Sequence, residues 1–409
     1  MNCRHCGNHL TQTFLDLGHA PPSNAYLTAN DLNKPEIYYP LKVKVCCLCW
    51  LVQTEDYAKA DALFTSEYAY FSSTSSSWLK HAEQYAKQVT HELALNSNSL
   101  VIEVACNDGY LLKNFLVKNI PCLGIEPTAS TAAAAEKLGI PVLHDFFGES
   151  LGQQLKAKGQ QADLLIGNNV FAHVPDINDF TRGLKAALKP KGIITLEFPH
   201  LMQLIEHTQF DTVYHEHFSY LSLFTVIRIF TSAGLRVWKV ENLPTHGGSL
   251  RVYGCHDSDL RETQPSVNDL LQEEYSRGLQ RLETYLDFQP LAERIKNNLL
   301  NFLIKQKKAG KKVAAYGAAA KGNTLLNFAG VKSDLLSFVF DAALAKQGKF
   351  MPGSHVPILA PSALHEIQPD FVVILPWNIS TEVASEHAYI KKWGGVFLVV
   401  VPEIGIKEA

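Results

Sequence analysis

One short run of the chain, Tyr214-His215-Glu216-His217-Phe218-Ser219-Tyr220, holds two imidazoles, a carboxylate and two phenols. Such a set suits proton abstraction from carbon. An imidazole titrates near the pH at which enzymes work, so it can serve as a base. Neighbouring phenol or carboxyl groups can orient that base or hydrogen-bond an oxyanion as it develops. The carbon next to a ketone is a suitable proton source, and the enolate formed there is a carbon nucleophile. The same run could instead supply two metal ligands or form a polar strand. His173, in Phe171-Ala172-His173-Val174-Pro175, could reach the same pocket, and His246, in Thr245-His246-Gly247-Gly248-Ser249, lies in a tight turn.

A second group of reactive side chains lies at the N-terminus. Cys3-x-x-Cys6 and Cys46-x-x-Cys49 are two knuckles, each able to offer a pair of thiolates. Together they complete a tetrahedral site for a structural Zn2+ ion, with Zn–S distances of ~2.3 Å. Cys47 is a spare beside the second knuckle. Five of the eight cysteines lie within the first 49 residues, a distribution that suits reduced, metal-binding thiols in the cytoplasm better than a disulfide scaffold.

Two glycine-bearing loops follow strands. In Glu103-Val104-Ala105-Cys106-Asn107-Asp108-Gly109, an acidic residue precedes the positions where methyltransferases carry alternate glycines. Gly109 remains, while Ala105 and Asn107 occupy the other two positions. Glycines there let the backbone approach a cofactor closely, and the helix start faces a carboxylate. Glu126 ends the next strand, where an acid can accept from ribose hydroxyls. Asp145 follows a third strand, at an adenine edge, and Asn168-Asn169 ends a fourth, facing the reactive centre. The second loop is Gly317-Ala318-Ala319-Ala320-Lys321-Gly322, followed by Asn323-Thr324, with Asp341 ending the next strand. It fits the dinucleotide pattern with Ala319 at the middle glycine, and Lys321 could add charge for a pyrophosphate. It is not a P-loop, because Asn323-Thr324 stands where Lys-Ser/Thr is required.

These loops need rigid elements beneath them. Strand patterns occur at 41–45, at 100–104, 122–125, 163–166 and 192–196, and again at 312–316, 337–340, 371–375 and 396–400. Alternation with helical stretches predicts mostly parallel sheets. Residues 262–309 read as polar amphipathic helix, and the hydroxyl-rich stretch 71–77 as loop or helix cap. The expected fold is α/β: a small zinc-binding module over 1–75, a central Rossmann-like methyltransferase domain over 76–285, and a second Rossmann-like domain over 286–409 that binds a nucleotide-sugar. With 46% hydrophobic and 19% charged residues the chain can bury large cores. A formal net charge of −3 supplies no field for nucleic acid or anionic membranes. No stretch approaches the ~18 apolar residues of a membrane span. The expected partner is the nucleotide-sugar substrate, with neither nucleic acid nor membrane, and the sequence leaves the oligomeric state open, a monomer among the possibilities.

Taken together, these segments resemble the nucleotide-sugar C-methyltransferase family, which includes the dTDP-sugar C-3′-methyltransferases. The resemblance runs over the whole chain. It rests on both cysteine knuckles, the Glu103–Gly109 loop, the 168–174 segment, Phe210-Asp211-Thr212-Val213-Tyr214-His215-Glu216-His217-Phe218-Ser219-Tyr220-Leu221-Ser222, and Tyr316-Gly317-Ala318-Ala319-Ala320-Lys321-Gly322-Asn323-Thr324. It implies S-adenosylmethionine as cofactor, held by Glu103, Asn107, Gly109, Glu126, Asp145, Asn168 and Asn169. It also implies a dTDP-4-keto-6-deoxy sugar, held at Gly317, Ala319, Lys321, Asn323 and Asp341. His217 matches the general base, with Tyr214 and Glu216 placing it and with Tyr68 and His173 lining the pocket. As a base, His217 is expected to titrate near neutral pH. The alternatives are an NAD-dependent nucleotide-sugar oxidoreductase using the second loop, an RNA methyltransferase gripping its substrate with the zinc module, and a non-catalytic zinc adaptor.

Overall fold

The computed structural model describes residues 1–55 and 71–408. Three strands open the chain: β1 (Gln12–Ala20), β2 (Tyr39–Val45) and β3 (Val52–Thr54). Leu41, Val43 and Val45 point inward on alternate positions of β2, as a sheet with one buried face requires.

The central unit contains β4 (Val101–Val104), β5 (Cys122–Ile125), β6 (Val142–Leu143), β7 (Ala162–Asn168), β8 (Leu188–Pro199), β9 (Ser219–Tyr220), β10 (Leu235–Leu243) and β11 (Ser249–His256). Seven of these form one sheet in the order β10-β11-β8-β7-β4-β5-β6. The run from β6 to β8 is parallel, and β11 and β10 add as an antiparallel hairpin. β4 and β5 are buried along their whole length, which is why they read as apolar runs, interrupted in β4 by Glu103. The short β9 leaves this unit and becomes the fourth strand of the N-terminal sheet, order β1-β2-β3-β9.

The polar helical stretch divides into helices Pro265–Ser276, Leu282–Leu286 and Phe288–Lys308. The last packs on β1, with Phe14 and Phe288 stacked 4.6 Å apart. The remaining strands are β12 (Val313–Tyr316), β13 (Val339–Phe340), β14 (Ile358–Leu359), β15 (Phe371–Ile374), β16 (Val396–Val399) and β17 (Gly405–Lys407). They form a sheet in the order β14-β13-β12-β15-β16-β17, parallel except for β17. Among the described residues, no helix is long and apolar enough to cross a membrane.

Stretch 71–77 is a cap with a second task. Ser75 caps helix Ser76–Glu92 by accepting from the Trp78 amide. Just before it, the Ser72 and Ser73 amides donate to Asn107 Oδ1 (2.9 Å) and Asp108 Oδ2 (3.1 Å) of the first glycine loop.

Helices Glu149–Ala157 and Ile177–Ala187 cross where Gly152 meets Gly183. A Cβ added at Gly183 would lie 2.5 Å from the Gly148 carbonyl oxygen. Gly183→Ala should therefore force these helices apart and cost about 1–3 kcal/mol. The measurement is the urea unfolding midpoint, and an unchanged midpoint would show that the crossing yields without strain.

Candidate active site and metal centre

The four knuckle sulfurs converge. The Sγ atoms of Cys3, Cys6, Cys46 and Cys49 all lie within 4.8 Å of one another, and Cys3, Cys46 and Cys49 are buried. The closest pairs are Cys3–Cys49 (3.5 Å) and Cys6–Cys46 (3.6 Å). Gln53 Nε2 donates to Cys3 Sγ at 3.2 Å, an outer partner that stabilises a thiolate. This closed, all-sulfur set fits a structural Zn2+ ion. Cys47 is exposed and outside the cluster, so the spacing rule selects the right neighbour. His215, Glu216 and His217 join no metal-ligand group among the described residues.

The first glycine loop retains its backbone shape without its glycines. Ala105 (φ 55°), Asn107 (φ 51°) and Gly109 (φ 77°) all occupy the left-handed region. The alternate positions thus take the conformation glycine favours, and asparagine tolerates it better than most residues. A side chain at Gly109 would be strained, because φ is 77° and a Cβ there would press on Ile140 Cδ1 (2.5 Å) and the Ala135 Cα (3.2 Å).

Three acids gather around the loop. Glu103 is 1% exposed and neither carboxylate oxygen has a hydrogen-bond partner. Burial, with Glu126 and Asp108 close by, pushes its carboxyl well above the usual range. Glu126 accepts from the Asn107 amide and the Thr128 amide, 2.9 Å each. Asp145 is exposed and caps the Phe146 amide (2.8 Å). At the end of β7, Asn168 is buried with both amide atoms unpartnered. Orphaned acceptors and an amide beside a left-handed loop fit a ligand bearing hydroxyls, an ammonium and a sulfonium. S-Adenosylmethionine is such a ligand. Glu103, Glu126, Asp108 and Asn168 would hold it, and it would supply an electrophilic methyl group.

The histidine segment folds as turns leading into β9. His217 is buried, and its Nδ1–H donates to the Thr212 carbonyl at 2.8 Å, which leaves Nε2 as the basic nitrogen. Tyr214 lies tilted over the imidazole with centroids 3.9 Å apart, and His173 meets it edge-on at 4.6 Å. The expectation of titration near neutral pH is corrected here. Burial drives His217 well below the ordinary histidine value, with the fields of His173, Lys321 and His246 acting in the same direction. Burial also holds His173 at about 4. The partner of the imidazole Nδ1 is the Thr212 carbonyl and not Glu216, both of whose oxygens accept from Asn24 Nδ2 (2.8 and 2.9 Å). Tyr68 lies outside the described residues.

Several residues escaped the sequence reading. Asn24 comes from the N-terminal module, and Thr54 Oγ1 of β3 donates to the His217 carbonyl at 3.2 Å. Asp211 is fully buried and raised by burial to about 6, and it accepts from Trp377 Nε1 (2.8 Å). His246 is held at about 4 by burial and accepts from Asn169 Nδ2 at 3.2 Å. Glu197 at the end of β8 binds Arg251 (2.7 Å), His81 (2.9 Å) and Thr245 (3.0 Å), which anchors the turn carrying His246. Only the proximity of His246 to a tight turn gave a sequence signal, because the other partners come from distant segments.

The second loop follows β12 and opens helix Ala320–Ala329, as its pattern requires. Gly317 has φ 89° and packs on Pro376, where a Cβ would overlap the ring. Asp341 is turned onto the loop itself, accepting from the Ala318 amide (2.7 Å) and the Ala343 amide (2.8 Å). That occupation works against a dinucleotide ribose contact there. Ala319 is the N-cap residue of the helix, and the buried Asn323 keeps its Nδ2 unpartnered. Lys321 donates to Asn378 Oδ1 at 2.8 Å and lies over the Trp377 ring.

If the metal holds the β2–β3 turn that supports His217, removing it should move the catalytic segment. Cys49→Ser, or chelation of the native protein, should lower zinc content and methyl transfer together. Zinc analysis alongside activity reads this out, and full activity in zinc-free protein would refute it.

Comparison with known proteins bears on the family of the chain. Residues 3–64 match a zinc binding domain family, 78–240 a methyltransferase domain, and 244–402 the C-methyltransferase C-terminal domain. The chain is 33% identical to the C-methyltransferase NovU of Streptomyces niveus over 401 residues, 98% of this chain and 95% of that protein. Solved structures give partial, low-scoring overlaps. One is the magnesium protoporphyrin IX methyltransferase of Synechocystis with bound S-adenosylhomocysteine (12% identity, 44% of this chain, 83% of that chain, TM-score 0.35). Another is the YcgJ protein of Bacillus subtilis (10% identity, 44% of this chain, all of that chain, TM-score 0.35). Family models over all three parts of the chain and a full-length relative at this identity establish that the chain belongs to the S-adenosylmethionine-dependent C-methyltransferases.

Proposed function

We propose that this enzyme methylates carbon 3 of a dTDP-4-keto-6-deoxy sugar in the cytoplasm, within deoxysugar biosynthesis. The observation that carries the reading is the state of His217: neutral, buried, fixed through Nδ1 by the Thr212 carbonyl, and basic at Nε2. A neutral imidazole held among aromatic rings is suited to removing a proton from a carbon acidified by an adjacent ketone. Tyr214 and His173 restrict the ring, and Tyr68 is assigned to the same pocket from the resemblance. The nucleotide end of the substrate goes to the backbone of the Gly317–Asn323 loop, with Ala319 at the helix start. The similarity of these segments to nucleotide-sugar C-methyltransferases supports the choice of substrate, and the full-length similarity to NovU supports carbon as the methyl acceptor.

Calorimetric titration with S-adenosylmethionine, S-adenosylhomocysteine, dTDP and NAD tests the reading. Binding of the first three supports it, whereas binding of NAD without dTDP would move the chemistry to an oxidoreductase.

His217→Asn should cut turnover on the order of 100- to 10,000-fold while leaving S-adenosylhomocysteine binding intact. Retention of most activity would remove His217 from the role of base. The pH profile follows from the direction of its shift. Depression of the histidine pKa keeps the base form populated as pH falls, so the acid limb of kcat/KM should lie below the ordinary histidine value of 6.5. A limb centred at or above 6.5 would contradict the burial seen here.

A further inference from the structure

Lys321 is in the first turn of helix Ala320–Ala329, where a pyrophosphate contact would be the simple expectation. Its side chain leads elsewhere. The ammonium lies 4.3 Å above the Trp377 ring and donates to Asn378 Oδ1 at 2.8 Å. The indole edge of Trp377 donates to Asp211, whose other oxygen, Oδ1, is buried without a partner. Trp377 also packs on the turn that carries His246, since a Cβ at Gly247 would overlap the indole. The ammonium thus sits where the C-terminal loop, the 210–217 segment and the 245–247 turn meet.

The charge around His217 supports a role for it there. His217 feels His173, Lys321 and His246. Burial keeps both imidazoles neutral, at about 4. Lys321 is drawn down to about 8 by burial and held up by Asp211, so it stays largely an ammonium at neutral pH. Enolisation by a neutral base creates an imidazolium and an oxyanion together. A fixed donor aimed at that oxyanion lowers the barrier to forming it.

We infer that Lys321 is the electrophile of the reaction, donating a hydrogen bond to the carbonyl oxygen at sugar carbon 4 while His217 takes the proton from carbon 3. This rests on the reading given under Proposed function. The C3–H bond breaks and its proton goes to His217 Nε2. The electron pair forms the C3=C4 bond and places negative charge on the oxygen, while Lys321 keeps its own proton. The C3=C4 π pair then forms the bond from carbon 3 to the methyl carbon, the pair on oxygen re-forms the C4=O bond, and the methyl–sulfur bond breaks with its electrons left on sulfur. Trp377, Asp211 and Asn378 are positioning residues for the ammonium.

The test separates proton abstraction from methyl transfer. Full-length, zinc-loaded enzyme is incubated in D2O with a dTDP-4-keto-6-deoxy sugar and S-adenosylhomocysteine, and deuterium at carbon 3 is followed by NMR. Dissociation constants for dTDP and S-adenosylhomocysteine are measured in parallel and report whether each variant is folded. Lys321→Met should lose on the order of 100- to 1000-fold in exchange at saturating substrate, with dTDP affinity changed less than threefold. Lys321→Arg, which retains the charge, should recover part of the rate. Should Lys321→Met fail to bind S-adenosylhomocysteine, Lys321→Gln gives the same readout with a polar, uncharged group. Unchanged exchange at saturation with weakened dTDP binding would make Lys321 a diphosphate anchor and overturn the inference. Absence of exchange in the unaltered enzyme, with the sugar bound, would overturn the enolate reading itself, and His217→Asn fixes that zero level.

Discussion

The pairing of Val52-Gln53 with Ser219-Tyr220 determines where the chemistry can occur. It removes β9 from the methyltransferase unit and makes it an edge of the N-terminal sheet. Thr54 lies one residue beyond the paired segment and donates to two successive carbonyls, its amide to Phe218 (3.2 Å) and its hydroxyl to His217 (3.2 Å). Three residues before β3 stands Cys49, so the metal knuckle and the catalytic segment share one short stretch of backbone. Strand hydrogen bonds are strong and geometrically demanding in a buried setting. The zinc module is therefore part of the wall around His217, the proposed base.

The C-terminal unit closes the same pocket from the other side. Thr324 Oγ1 donates to the Val213 carbonyl at 2.8 Å, and the Tyr26 hydroxyl of the N-terminal module donates to the Ala318 carbonyl at 2.5 Å. Segment 210–217 is thus tied both to the zinc module and to the helix that begins at the second glycine loop. Each tie buries polar groups, and each is satisfied by a specific partner, as burial requires.

Charge is divided across the site. Acids gather at the cofactor loop, where Glu103, Glu126 and Asp108 favour a cationic ligand. Imidazoles gather at the end of β7 and in the 214–217 segment, where burial strips them of charge. A cation beside acids and a neutral base beside aromatic rings is a consistent arrangement for moving a methyl group from one end of the pocket to a carbon at the other. The same burial explains why the titration expected of His217 from its residue type alone is displaced: an unperturbed histidine value assumes a solvated ring, and here the ring is buried.

The sequence alone determined the elements that depend on local chemistry. Apolar runs such as Val101–Val104 had to be buried strands, the cysteine spacing picked Cys46 and Cys49 over Cys47, and the two loops had to stand between strand and helix. Family-specific runs carried the rest of that reading, including the proposal of His217 as the base. Other features needed the tertiary structure because they depend on residues far apart in the chain. Asn24 on Glu216, Thr54 on His217, Asp211 on Trp377 and the Glu197–Arg251–His81 network have no spacing signature. The left-handed backbone at Ala105 and Asn107 is hidden in the same way, because neither residue advertises the conformation that the loop imposes on it. Periodicity and motif record what a residue can do within its own turn or strand. Which groups meet, and whether water is left between them to set their charge, is decided only when the three sheets close around one pocket.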